Sequence, residues 1–138
     1  MGTRAGQKYL YFRTVADEDD DDASADSAVY PVSSFAGMHP TSDTAITLFF
    51  DNQIVQAHDM GSNAFTNKDS VILNVNQGKT AEVMQAIVQA INGNVHSDGW
   101  LVVADDATTD YDASTRAATY LTSDITSCGA IAITAAHA

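Results

Sequence analysis

Residues 70–106 read SVILNVNQGKTAEVMQAIVQAINGNVHSDGWLVVADD, and this stretch decides the fold. Val83, Met84, Ile87, Val88 and Ile91 recur at steps of one, three and four, which places them on one stripe of a helix with about 3.6 residues per turn. The spacing predicts a helix over about residues 80–92, with Thr80 capping its first-turn amides, Glu82 favoured by the helix dipole and Gly93 supplying a left-handed exit. Before it Val71, Leu73 and Val75 alternate as in a half-buried strand, and after it Trp100 to Val103 form a short apolar run. The unit is therefore β-α-β, with its crossover open between parallel and antiparallel neighbours.

Outward from this unit the chain reads as strands and loops. KYLYFRTV (8–15) alternates, with Leu10 and Phe12 on one face and Tyr9, Tyr11 and Val15 on the other. The block 16–27 holds seven acids, packed between residues 17 and 26; like charges repel, so a solvated loop is expected. Pro31 confines any strand over 28–34 to a sheet edge. Gly37 to Asp43, containing His39-Pro40, reads as a turn, and Thr44 to Phe50 as a strand with Ile46, Leu48 and Phe50 facing one way. Residues 51–69 form a long loop with a short extra strand at Gln53 to Gln56; residues 105–124 form a second polar excursion, and GAIAIT from Gly129 to Thr134 closes the sheet. The expectation is an α+β chain, one compact domain over 1–138, with a five- or six-stranded mostly antiparallel sheet or sandwich and one helix. Such a helix covers only part of one sheet face, so a second layer or another subunit must cover the rest.

Composition narrows the function. The net charge is −12, from 18 acids against six bases, and 16 of the acids are Asp, which favours turns over helices. An acidic surface repels phosphate backbones and anionic bilayers, so neither nucleic acid nor membrane is an expected partner. No apolar run approaches the ~20 residues that span a bilayer, and MGTRAGQK leads into aromatic residues without a secretory signal pattern, so a soluble, unprocessed chain is expected. The single cysteine, Cys128, excludes an intrachain disulfide framework and reads as a small buried hydrophobe.

Tests for site chemistry return no catalytic, cofactor or metal residues. Asp110-Tyr111-Asp112-Ala113-Ser114 begins like a calcium loop, but Thr115 stands where Gly is needed and Leu121 where the bidentate Glu belongs. Asp17, Asp19 and Asp21 repeat the spacing and fail similarly at Asp22 and Ala28. His39, His58, His96 and His137 are scattered without metal-ligand spacing. Gln77-Gly78-Lys79-Thr80 lacks the earlier glycine of a phosphate loop. Asp105 and Asp106, adjacent on a strand, point to opposite faces and do not share a pocket without a turn. A hydrolase resting on these two and His96 is thus the weakest of the functional readings.

Taken whole, the segments KYLYFRTVADEDDDDASADSAVYPVSSFAGMHPTSD, TAITLFFD, VMQAIVQAING, DGWLVVADDATTDYD and GAIAIT resemble small virion structural proteins of marine tailed phages. The resemblance runs over most of the chain, carries no single motif and transfers no site residues. It implies a non-enzymatic head decoration or cement protein, made in the host cytoplasm and located in the virion. Its partners would be the major capsid protein and copies of itself, as a homo-oligomer on the particle. A tail or fibre component and a calcium-assisted extracellular adhesion module are the alternatives. The loops 16–27, 51–69 and 105–124 are the expected contact surfaces.

Overall fold

The computed structural model describes residues 8–23, 25–51, 68–93 and 99–133. Among the described residues eight strands and one α-helix follow in chain order: β1 Tyr9–Arg13, β2 Ser27–Pro31, β3 Phe35–Ser42, β4 Ala45–Asp51, β5 Lys68–Val75, α1 Thr80–Asn92, β6 Trp100–Asp105, β7 Thr119–Tyr120 and β8 Ile125–Ala132. They form two four-stranded sheets, ordered β2-β1-β6-β7 and β3-β4-β5-β8. All neighbours are antiparallel except β1 and β6, which run parallel. The class is α+β and mostly antiparallel, as the alternation of apolar residues implies. The expected count of five or six strands is too low, because β7 is only two residues long and β3 lies where a turn was expected.

Alternation builds the core. Leu10, Phe12, Tyr30, Leu101 and Val103 point inward from the first sheet; Ile46, Leu48, Phe50, Val71, Leu73 and Val75 point inward from the second, all in one cluster of buried residues. Tyr30 stacks on Phe50 across the gap with ring centres 4.2 Å apart, and Phe12 meets Phe50 edge-on at 5.8 Å. Burial of this kind contributes about 25 cal/mol for each Å² of apolar surface removed from water and dominates the stability of such a sandwich. The second sheet, not another subunit, supplies the cover that one helix leaves missing.

The helix occupies the expected residues, with Val83 and Ile87 fully buried in the same core. Val88, assigned to the apolar stripe by spacing, is instead 44% exposed, so the buried stripe is narrower than its pattern. Two further details differ. The N-cap is Lys79, without a side-chain bond, and Gly93 leaves the helix in an extended conformation with φ −88° and ψ 171°. The helix entrance is held instead by the preceding turn, where Gly78 takes a positive φ of 78° and its amide donates to the Asp43 carbonyl at 3.2 Å. The helix also joins β5 of one sheet to β6 of the other, so β5-α1-β6 is a link between layers and not a crossover within one sheet.

Residues 37–42 are strand and not turn because β3 is an edge strand. Pro40 removes one amide on the open side, and the register shifts between Pro40 and Ser42, two tolerated irregularities at an edge. The reversal itself is at Asp43-Thr44, where the Thr44 amide donates to Ser42 Oγ at 3.2 Å. β2 lies at an edge, as Pro31 requires. The strand expected at Gln53 to Gln56 lies outside the described residues.

Candidate functional site

The parallel pairing of β1 with β6 brings the ends of both strands, and the loops that follow them, to the same end of the first sheet. Loops 16–27 and 105–124 therefore meet. The Thr108 and Thr109 amides both donate to the Ala16 carbonyl, at 2.8 and 3.0 Å, and the Glu18 amide donates to Thr109 O at 3.0 Å. The acidic run, expected as a solvated loop, is folded here into a one-turn 3-10 helix at Glu18–Asp20, and β2 begins at Ser27. Of the expected contact loop 51–69, Asp51 belongs to β4, Lys68 and Asp69 belong to β5, and the rest lies outside the described residues.

Two arginines make this folding affordable in charge. Arg13 donates from Nε to Asp105 Oδ1 at 2.8 Å and from Nη2 to Asp105 Oδ2 at 2.9 Å, a two-point fork on a carboxylate. Its other contacts are Asp21 at 3.3 Å and Glu18 at 3.5 Å. Arg116, from the second loop, bonds Glu18 at 2.6 Å and also approaches Asp105 at 3.4 Å. Burial pushes the Asp105 carboxyl up, but the hydrogen bonds from Arg13 and the Ala107 amide, with the two guanidinium charges, outweigh it and hold it below the usual carboxylate range. The bond to Asp105 likewise holds the Arg13 proton more firmly than in water.

Asp106 turns the other way. Its Oδ1 accepts the Cys128 amide at 2.8 Å and the Tyr120 hydroxyl at 2.6 Å, while Thr14 Oγ1 donates to the Cys128 carbonyl at 3.0 Å. Side chains of the first sheet thus satisfy the free edge of β8 in the second and stitch that corner of the sandwich. The opposite orientations expected of adjacent strand residues hold, and both carboxylates are committed to structural partners. Cys128 lies buried beside them, and burial together with the Asp106 and Asp105 charges pushes its thiol up to about 12.

His39 sits exposed on β3, its ring 5.2 Å from that of Phe49; His58, His96 and His137 lie outside the described residues. In the calcium-like segment the Ser114 amide donates to Asp112 at 3.1 Å, a local turn bond. Among the described residues no group of three or more His, Cys, Asp or Glu is arranged to hold a metal ion. Among the described residues, too, no helix is long and apolar enough to cross a membrane.

The two outer sheet faces differ in kind. That of the second sheet carries hydrogen-bonded polar pairs, Thr41 with Thr47 and Asn74 with Ser127. The first sheet presents two rows of apolar side chains in register across three strands: Pro31, Tyr9 and Trp100, then Val29, Tyr11 and Val102. Tyr9, Val29 and Trp100 are 41%, 42% and 43% exposed. The next row, Ser27, Arg13 and Asp105, is where the charged network begins. Tyr11 joins the two zones: its ring lies 4.9 Å from Trp100, and the Arg13 guanidinium carbon is 5.7 Å from its centre. Sequence reasoning put Tyr9 and Tyr11 on the face opposite Leu10 and Phe12 but did not join them to Val29 and Trp100, since that requires the strand order. No family model, characterised protein or solved structure matches the chain.

Proposed function

We propose that this chain is a non-enzymatic structural protein of a tailed-phage particle, acting as a head decoration or cement protein that binds the capsid lattice. The observation that carries the reading is the ordered apolar face of Tyr9, Tyr11, Val29 and Trp100 on a sandwich whose core is already closed. A partly exposed face of that composition suits contact with a neighbour. The resemblance of the chain to small virion proteins supplies the setting, with the major capsid protein as the principal neighbour. The commitment of Asp105 and Asp106 to Arg13, Tyr120 and the β8 edge favours binding over turnover.

The test is quantitative mass spectrometry of purified particles. Several hundred copies per particle are expected of a shell component, whereas about a dozen would assign the chain to the tail or a fibre. No copies on purified particles would refute the virion reading.

A further inference from the structure

The apolar rows of the first sheet end against the most acidic part of the molecule. Segments 13–26 and 105–116 carry eleven acids against two arginines, leaving −9 of the chain's net −12. Both arginines are engaged inside the network, with Glu18, Asp21, Asp105 and Asp110. Asp19, Asp20 and Asp22 are exposed in the loop that follows β1, at the end of the sheet where the apolar rows stop. Among the described residues the face is therefore an apolar platform that ends at a region of net negative charge.

Size and charge together say what fits it. Three strands at ~4.8 Å spacing and two side-chain rows ~6.8 Å apart give a patch of roughly 200 Å². A stable dimer buries about 800 Å² on each partner, several times more. A second copy docked face to face would also bring a second −9 end to within about one or two Debye lengths of the first. A short segment of one chain, a strand's width across, matches the patch. Positive charge on that segment would meet the rim, and apolar side chains would meet the rings. The platform is preformed, because Tyr11 is held between Trp100 and Arg13, so docking orders few side chains.

We infer that the Tyr9–Tyr11–Trp100 face docks a short cationic and partly apolar segment of a different protein chain, with its aliphatic or aromatic side chains on the rings and its Lys or Arg side chains over Asp19, Asp20 and Asp22. The inference rests on the binding role proposed above and narrows the partner at this face from any neighbour to a basic one.

Trp100 is the only tryptophan, so fluorescence excited at the red edge of its absorption, where tyrosine does not absorb, reports on this face alone. The full chain is titrated with an alternating Lys-Val decapeptide and with its Glu-Val counterpart. The Lys-Val peptide should give a saturable emission shift that weakens tenfold or more between about 50 and 300 mM salt, and the Glu-Val peptide should give none. Tyr9→Ala, and separately the triple change Asp19→Asn, Asp20→Asn, Asp22→Asn, should each weaken binding at least fivefold with circular dichroism unchanged. Equal responses to the two peptides, no saturable response to either, or binding insensitive to Tyr9→Ala would overturn the docking site as described. So would concentration-dependent self-association in sedimentation that Tyr9→Ala abolishes, since the occupant would then be a second copy. Peptide failure with full occupancy on particles removes this inference and leaves the virion reading; peptide binding with no copies on particles does the reverse.

Discussion

Replacing Asp105 by Asn keeps the shape of the side chain and removes its charge, which makes it the sharpest probe of how the acidic end is held. Asp105 is 4% exposed and receives the two-point fork from Arg13 as well as the Ala107 amide at 3.0 Å. Removing one member of a buried ion pair costs about 3–5 kcal/mol, because the other charge is left desolvated. Arg13 would retain Asp21 and Glu18 as secondary contacts, so the expected loss is lower, about 2–3 kcal/mol. For a chain of this length each kcal/mol moves the melting temperature by about 3–4 °C, giving a drop of about 6–12 °C at pH 7. The carboxyl is depressed in the folded state, so its contribution is full at neutral pH and is lost as pH falls below about 4, through the folded value. Asp105→Asn should therefore converge with the parent chain in strong acid. A double-mutant cycle with Arg13→Met isolates the pair and should return a coupling of about 2 kcal/mol. A melting shift under about 2 °C at pH 7, or the same difference at pH 7 and pH 2, would show that the fork does not anchor these loops.

Two substitutions and one labelling rate probe the rest of the molecule. Phe50→Ala removes the ring shared by Tyr30, Phe12 and Phe35 and should cost about 3–5 kcal/mol in urea unfolding; a cost below 1 would mean the sheets do not pack through this cluster. Cys128, with its thiol pushed up to about 12, should react with iodoacetamide at pH 8 at least a hundredfold more slowly in the native chain than in urea, and comparable rates would contradict its burial. Gly129→Ala would bring its methyl to 3.0 Å from the Ile72 carbonyl oxygen, a backbone atom that cannot swing aside; about 1–3 kcal/mol of destabilisation is expected in thermal melts, and a neutral result would rule out that close approach.

How much of this was legible follows from the range of each interaction. The inward faces of β1, β4 and β5 are written in strict alternation, and the helix in its spacing, because those patterns depend only on local geometry. The helix ends were misread because a turn held by Asp43, over thirty residues away in sequence, replaces the expected Thr80 cap. β3 was hidden by Gly37 and Pro40, which mean a turn in isolation and an irregular edge strand once β4 lies beside them. The acidic run keeps Asp19, Asp20 and Asp22 exposed, but the contacts that order it were the least legible feature. Its self-repulsion is real, but Arg13 and Arg116 come from outside the run, and nothing local announces that they will converge on Glu18.

That convergence depends on one pairing. Had β6 run antiparallel to β1, Asp105 would lie at the opposite end of the sheet from Arg13. The fork would be lost, Arg116 would have no route to Glu18, and the seven acids of residues 17–26 would keep Arg13 alone as the counter-charge from this network. The same parallel register sets Trp100 beside Tyr9 and Val102 beside Tyr11. One register thus assembles both the apolar rows and the acidic rim next to them. Moving β6 by a single residue would turn Trp100 and Asp105 inward together, which the core could not accept. The face and its anchor are fixed by the same choice, so a substitution that loosens the fork should also disorder the platform. Asp105→Asn should weaken Lys-Val decapeptide binding, although Asp105 is buried beneath the rim; unchanged affinity in a chain melting several degrees lower would separate the two.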